Sequence, residues 1–394
     1  MTRLPYSVGF FSTHLLMKTH SRNRVRLVNV VAILAVSVSL TALLLLPPRA
    51  SAQSFTFSTG DPDGKIGTLS GPSSVGNVQT ETADDFVLTE NTIISQATFT
   101  GLLPSGASVS SITNVEVEIY RVFPNDSTDP PSGNVPTRVN SPADNEIDSA
   151  TRDSSDGSLT FTATLVNPIY SVANSVVNGI NKIPNQFTGG EGPVTGTEVT
   201  ITVTFNPPIT LPADHYFFRP AVLSTSGDFL WLSAPQPIVA PGTPFTPDLQ
   251  SWIRNDNLVP DWLRIGTDIT GQGPFNASFS LSGEGDADND GVPDSLDQCP
   301  DTPEGAIVNA EGCSIDQLVP CDGPASGGTW KNHGEYVSTI AHVANDFVSE
   351  GLITGQERGQ IVSAAAQSGC GKPSGKPGGK HGGKPKKHRH HHHH

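Results

Sequence analysis

Residues 198–205 read E-V-T-I-T-V-T-F, an alternation of polar and apolar side chains. The same period of two recurs at residues 115–120 (V-E-V-E-I-Y), 158–166 (S-L-T-F-T-A-T-L-V) and 275–281 (F-N-A-S-F-S-L). Successive side chains of a strand point to opposite faces, so these runs indicate half-buried antiparallel strands. Many short strands without amphipathic helices between them predict an antiparallel β-sandwich of jelly-roll type over residues 53–283. Residues 172–183 are the exception, where we expect a short helix.

An acidic segment follows the predicted sandwich and reads D-A-D-N-D-G-V-P-D-S-L-D from residue 286 to residue 297. Gly291 stands at position 6, where a calcium loop turns sharply, and Val292 at position 7 offers its carbonyl oxygen. Hard oxygen ligands at this spacing suit Ca²⁺. A solvated acidic linker is the alternative, although so many carboxylates would repel one another without a cation. The predicted ligands are Asp286, Asp288, Asp290, Val292, Asp294 and Asp297.

The loop continues as C-P-D-T-P-E-G at residues 299–305 and N-A-E-G-C at residues 309–313. Residues 286–313 together resemble a thrombospondin type 3 repeat, most closely the form that bacteria place between secreted or outer-membrane domains. The resemblance implies a structural calcium site. Position 12 is Asp297, which is shorter than the glutamate of an EF-hand, so bidentate closure is not assured. Since no second complete motif is present, cooperative binding along an array is not implied.

The cysteines all lie in the last quarter of the chain, at Cys299, Cys313, Cys321 and Cys370. An even number of cysteines in an exported chain predicts two disulfides, for which three pairings exist. The resemblance implies Cys299–Cys313, which leaves Cys321–Cys370. Zinc binding is the competing interpretation, but no C-x-x-C pair occurs.

The N-terminus has the pattern of an export signal. Basic residues precede an apolar stretch over residues 30–46, and two prolines then lead to Ala50-Ser51-Ala52, which predicts cleavage before Gln53. A membrane anchor is the alternative. Residues 1–52 and 371–394 hold 6 and 7 basic residues, so residues 53–370 carry 10 against all 38 acidic residues. Such an acidic body argues against nucleic acid as a partner.

The C-terminal part changes character. Residues 330–349 place apolar residues at helical spacing, Gly351 ends that helix, and Thr354 with Glu357 forms a capping box for a second helix. From residue 371 the tail contains chiefly Gly, Lys, Pro and His, and we expect it to be disordered. The predicted domains are a signal peptide (1–52), a β-sandwich (53–283), a calcium-binding repeat (284–320), a helical hairpin (321–370) and this tail (371–394).

Two further segments resemble known sequences without known activity. Residues 83–88 (A-D-D-F-V-L), with 97–101 and 115–121, resemble an uncharacterised family of secreted bacterial β-domains. Residues 330–338 (W-K-N-H-G-E-Y-V-S) resemble segments that end other secreted bacterial proteins. Both resemblances support location and fold only.

We find no persuasive catalytic constellation in the β region, and we predict that the protein is not an enzyme. His215 is most simply a hydrogen-bonded edge or core residue. His333 and His342 are nine residues apart, which is not a shared-face helical spacing, so we interpret both as structural. Trp231, Trp252 and Trp262 are most simply core residues, and an exposed glycan-binding platform is the alternative.

Together these patterns predict a secreted, calcium-binding protein of a bacterial cell surface or extracellular matrix, with a structural or adhesive role. A glycan-binding module and a calcium-dependent filament or layer subunit are the alternatives, and a polysaccharide-degrading enzyme is a further rival. Expected partners are extracellular polysaccharide, surface proteins or other copies of the chain, with no membrane contact after signal cleavage.

Overall fold

Strands dominate the architecture. The structure is a computed structural model that describes residues 54–72, 78–129, 132–181 and 186–372. The predicted signal peptide lies outside these residues, as does the tail from residue 373. The strands are β1 (Ser54–Ser58), β2 (Ile66–Leu69), β3 (Gly71–Pro72), β4 (Gln79–Leu88), β5 (Thr92–Pro104), β6 (Ile112–Val122), β7 (Pro142–Glu146), β8 (Arg152–Asp153), β9 (Leu159–Val172), β10 (Asn174–Val176), β11 (Val194–Leu211), β12 (Asp214–Ser224), β13 (Leu230–Ala234), β14 (Trp252–Asn255), β15 (Leu263–Arg264), β16 (Asn276–Ala277) and β17 (Phe279–Gly285).

Within the described residues these strands form two sheets, which confirms the predicted β-sandwich. The nine-stranded sheet has the order β1-β17-β5-β13-β2-β10. On its other side β5 pairs with β11, β11 pairs with β9, and β16 pairs with β13. The eight-stranded sheet has the order β15-β14-β4-β12-β6-β7, with β3 against β4 and β8 against β6.

The core lies between the two sheets. On β5 and β11 the apolar residues of each alternation face inward, so that Phe99 stands opposite Ile201 and both are buried. Phe218 of the eight-stranded sheet stacks on Phe279 of the nine-stranded sheet, with ring centroids 5.0 Å apart. Full burial of such a side chain contributes about 1.5–3 kcal/mol, so each inward-facing aromatic or aliphatic residue of this interface stabilises the sandwich.

The helix predicted over residues 172–183 is wrong for the described part of that segment, residues 172–181. Val172 ends β9, and residues 174–176 form β10, which pairs in parallel with β2. Val176 is fully buried in a cluster that includes Ile66. Burial of these β-branched side chains against a neighbouring strand outweighs the local helical spacing.

Two main helices follow the sandwich, as predicted. A single turn, α1 (Ile315–Leu318), precedes α2 (His333–Ser349) and α3 (Gly355–Gln367). The side chain of Asn332 caps α2, so this helix begins later than the apolar pattern indicated. Thr354 and Glu357 form the expected capping box, and Gly351 has a positive φ of 77°. The buried side chains of the hairpin are Tyr336, Ile340, Ala344, Phe347 and Ala365.

The disulfides are Cys299–Cys313 and Cys321–Cys370. This pairing agrees with the one expected, and it excludes zinc ligation by these four side chains. Among the described residues, no helix combines the length and apolar character needed to cross a membrane.

Candidate metal centre

The acidic segment begins directly at the end of β17. Asp286 is fully buried, and its backbone N–H donates to the carbonyl of Asn91 at 2.9 Å. The N–H of Asp294 donates to the carbonyl of Gly285 at 2.9 Å, which folds the segment back onto the strand end. The first aspartate is therefore held by the sheet rather than by a free linker.

Three carboxylates converge at this point. Asp286, Asp288 and Asp290 each offer an oxygen, and these oxygens all lie within 4.8 Å of one another. The chain can turn this tightly because Asn289 and Gly291 adopt positive φ angles of 60° and 90°. Position 6 is thus a glycine for a conformational reason, as the loop pattern predicted.

The backbone orients the Asp286 carboxylate. Its Oδ1 accepts from the N–H of Asp290 at 3.2 Å, and its Oδ2 accepts from the N–H of Gly291 at 3.1 Å. Both bonds fix the direction of this side chain within the turn. The carboxylate nevertheless retains lone pairs for a cation, since each oxygen can accept more than one partner.

One buried carboxylate oxygen in the cluster lacks a hydrogen-bond partner among the described residues. Asp290 Oδ1 accepts from the N–H of Val292 at 2.8 Å, whereas Asp290 Oδ2 is buried and has no hydrogen-bond partner among the described residues. Burial raises the pKa of Asp290 and the nearby Thr302 hydroxyl only moderates this rise, since that hydroxyl makes no hydrogen bond to Oδ2 and lies within hydrogen-bond distance of the carbonyls of Cys299 and Gly312, at 3.0 and 2.9 Å. A buried acceptor without a donor is costly. A cation among these carboxylates would satisfy it.

Two other predicted ligands lie against the same turn but hold backbone groups. Asp294 Oδ1 accepts from the N–H of Ala287 at 2.8 Å, and Asp297 Oδ1 accepts from the N–H of Cys299 at 2.7 Å. Neither joins the three-carboxylate cluster. The absence of a side chain at Gly312 leaves room for both Asp290 and Asp297. A Cβ at this glycine would collide with Asp297 and lie 3.1 Å from Asp290 Oδ2.

The electrostatics of the loop favour neutralisation. Burial raises the pKa of Asp286, Asp290 and Asp297 above the ordinary aspartate value, and neighbouring carboxylates raise each further. The cost of charging these groups arises from lost hydration and mutual repulsion. A divalent cation would remove both penalties together.

The far side of the loop is tied to the helical end by residues that the sequence did not single out. Asp288 Oδ2 accepts from the backbone N–H of Thr302 at 2.6 Å. Gln317 donates from Nε2 to the carbonyl of Cys299 at 3.0 Å and completes a capping box with Ser314 at α1. Ile315 of α1 then packs in the same cluster as Phe347. The loop is therefore continuous with the core of the hairpin.

The alternative prediction of an exposed, glycan-binding platform of tryptophans is wrong. Trp231 and Trp262 are fully buried and Trp252 is 2% exposed. Trp231 lies in the core and donates from Nε1 to the carbonyl of Ser278 at 2.9 Å. Trp252 and Trp262 lie in a separate small cluster with Phe217. Large aromatic rings contribute most when buried, so none of these faces is available to a sugar.

Two of the three histidines discussed from the sequence, His215 and His333, lie within hydrogen-bond distance of other residues. His215 Nε2 lies 2.6 Å from Asp85 Oδ2, on a side chain that is partly buried. His333 places its ring nitrogens 2.7 Å from the carbonyl of Cys370 and 3.0 Å from that of Ala366. His342 is exposed on α2.

A second set of aspartates with raised pKa values lies in the sandwich. No sequence pattern distinguished these aspartates from the others. Asp84 accepts from the Ser251 hydroxyl at 3.0 Å and from the N–H of Ala277 at 2.9 Å. Burial raises the pKa of both Asp84 and Asp85. Burial, with the charge of Asp85, raises the pKa of Asp248 to about 6. These groups favour the protonated state more than surface aspartates do.

Comparison with known proteins adds one partial relationship. No family model matches the chain, and no solved structure matches it. A 54-residue stretch is 50% identical to an alpha-agarase from Thalassotalea agarivorans. That stretch is 14% of this chain and 3% of the agarase, so the chain spans only a small part of the relative that it matches.

Proposed function

We propose that the protein is a secreted structural or adhesive component of a bacterial cell surface or extracellular matrix, in which a calcium ion stiffens the joint after the sandwich. The joint is a single loop resembling a thrombospondin type 3 repeat. Asp286, Asp288 and Asp290 would hold the ion, with Asp294, Asp297 and the carbonyl of Val292 completing the ligand set. When bound, Ca²⁺ supplies charge neutralisation and a rigid oxygen shell rather than chemistry.

The observation that carries this proposal is the buried Asp290 Oδ2 atom, which has no hydrogen-bond partner among the described residues. Asp290 also shares a cluster with Asp286 and Asp288, in which each residue offers an oxygen within 4.8 Å of the others. Export would place the loop where calcium is plentiful, and the two disulfides agree with an oxidising compartment.

The test is calorimetric unfolding of the protein with calcium and with EDTA. Calcium at a hundred times its dissociation constant should stabilise the folded state by about 2.7 kcal/mol. Asp290→Asn should abolish most of this shift. Asp301→Asn is the matched control, because Asp301 is exposed and has a positive φ of 73° that asparagine also tolerates. Equal melts with calcium and EDTA for the unmodified protein would remove the proposal.

A polysaccharide partner is the second candidate, and the partial match to a protein named as an alpha-agarase favours it. Retention on agarose beads, with cross-linked dextran beads as the control, tests this binding directly. We propose that the role is binding without catalysis. Release of reducing ends from agar would contradict that part, and equal passage through both resins would remove the candidate.

A further inference from the structure

Strand β9 forms one end of the nine-stranded sheet. Within the described ranges it pairs with β11 alone, and it is 14 residues long. An edge strand presents unpaired N–H and C=O groups, and proteins commonly block such edges with charge, proline or a bulge. The question is therefore which of these devices β9 carries.

The two halves of β9 differ in this respect. Pro168 lies in the second half, and the pairing with β11 shifts register between Leu165 and Tyr170. The first half, Leu159 to Leu165, pairs in one unbroken register and contains neither proline nor glycine. No charged residue occurs anywhere between Asp156 and Lys182, in a chain whose net charge is −15. The first half of the edge is thus unblocked.

The free backbone groups of this half can be assigned by parity. The N–H of Asn206 donates to the carbonyl of Ser158 at 2.9 Å, which marks these two residues as a hydrogen-bonded pair. Such pairs alternate along an antiparallel ladder, so Thr160, Thr162 and Thr164 direct their backbone groups at β11. Leu159, Phe161, Ala163 and Leu165 consequently direct theirs away from β11, but Leu159 is itself buried, so the accessible positions are the last three.

The same three residues carry an incompletely covered apolar row. They stand opposite the buried residues Val203, Ile201 and Val199 of β11, so their side chains lie on the inner face. Phe161 and Ala163 are only partly buried against the core, and Leu165 is 51% exposed. The apolar layer therefore extends beyond the cover that the second sheet provides.

We propose that this half-strand is a self-association surface, on which β9 pairs antiparallel with β9 of a second copy of the chain about a two-fold axis at Ala163. A second copy fits because the accessible free positions, 161, 163 and 165, are symmetric about Ala163, as a self-complementary interface requires. Phe161 would then stand opposite the partner's Leu165 and cover it. The absence of charge lets two acidic molecules meet here without direct repulsion.

A cysteine at the axis tests the register. Directly opposed residues of a hydrogen-bonded pair have Cα atoms about 5.5 Å apart, which suits a disulfide. All four native cysteines of the described chain are paired, so Ala163→Cys adds the one free thiol there. Mild oxidation should convert most of this variant to a covalent dimer, whereas Ser171→Cys, beyond the bulge, should remain largely monomeric. Equal cross-linking of both variants would overturn the register.

Charge placed on the edge tests the association itself by sedimentation velocity. Ala163→Lys sets two lysines against each other, and Leu165→Lys is a second variant at a half-exposed site where folding is undisturbed. Each should weaken dimerisation at least tenfold. Thr164→Lys is the control, because its backbone already faces β11, and it should dimerise like the unmodified chain. The proposal is contradicted if the unmodified chain stays monomeric at all concentrations. It is also contradicted if β9 pairs only with strands of other proteins and not with a second copy of the chain.

The measurements are made in both calcium and EDTA. Since β9 contributes none of the proposed calcium ligands, the dimer should form in both. Failure of the calcium proposal therefore leaves this result unchanged, and failure of the dimer leaves the calorimetric test unchanged.

Discussion

Asp288 and Thr302 are joined by a hydrogen bond from the backbone N–H of Thr302 to Asp288 Oδ2, at 2.6 Å. This bond connects the third position of the acidic loop to the segment that the Cys299–Cys313 disulfide closes. The proposed ion site, the disulfide and the α1 cap thus lie on one continuous piece of chain. We expect a substitution at any one of these three sites to change the stability of the structure around the other two.

Thr302→Val should destabilise this junction. The Thr302 side chain is 4% exposed, and its hydroxyl lies 2.9 Å from both the carbonyl of Gly312 and Gln317 Oε1. Loss of a buried donor leaves such acceptors unsatisfied, at a cost of about 1–3 kcal/mol. Urea unfolding measures the loss. Thr160→Val, on an exposed threonine of β9, is the control and should stay within about 0.5 kcal/mol of the unmodified chain.

Gly312→Ala should cost more than its backbone conformation alone explains. Gly312 and Gly305 have nearly equal positive φ angles, 75° and 77°. A Cβ at Gly305 meets nothing within 4 Å, whereas one at Gly312 collides with the Asp297 carboxylate. Gly305→Ala should therefore lose about 1–2 kcal/mol.

The added loss in Gly312→Ala should be accompanied by weaker calcium binding in isothermal titration. If both alanine variants lose the same stability and retain equal calcium affinity, Gly312 does not shape the site.

Asp248 should make the protein less stable as pH rises. Its folded-state pKa is raised to about 6, above the ordinary value near 3.9, so the folded state holds more protons between these values. Stability from this group is fully present below about pH 4 and is lost as pH rises through 6. In EDTA, Asp248→Asn should flatten the fall in melting temperature over this window. Asp301→Asn should not, and an unchanged slope in Asp248→Asn would refute the assignment.

Removal of the Cys321–Cys370 disulfide should loosen the helical end. The bond closes a loop with a sequence separation of 49 residues, which corresponds to about 4 kcal/mol on the chain-entropy model. The double variant Cys321→Ser with Cys370→Ser should show faster amide exchange in α2 and α3 while the sandwich retains its protection. Exchange that accelerates equally in β5 and β11 would mean that both regions unfold as one unit.

Much of the sandwich is predictable from local alternation, because burial on one face imposes a period of two. The runs at residues 115–120 and 198–205 lie within β6 and β11, and the run at residues 158–166 lies within β9 apart from Ser158. The run at residues 275–281 divides into β16 and β17 at Ser278, whose N–H bonds to Leu232 of β13. That interruption depends on a distant strand, so no local pattern contains it.

The candidate site likewise has one part that is predictable from local sequence and another that depends on contacts distant in sequence. Convergence of Asp286, Asp288 and Asp290 follows from the spacing and from Gly291, which are local. Thr302 and Gln317 contribute through contacts across 14 and 18 residues of sequence, to Asp288 and Cys299 respectively. Burial of Trp252 and Trp262 depends on the small cluster with Phe217, which only the assembled sheets create.

The position of β17 has a mechanical consequence. This strand lies between β1 and β5 and passes directly into Asp286. Tension on the helical end would pull β17 along its own axis and load both hydrogen-bonded ladders in shear, so that many bonds must break together. An ion in the acidic loop would shorten the compliant length through which that force is transmitted. A protein anchored at its C-terminal end would thereby receive the load through a strand that is hydrogen-bonded on both sides.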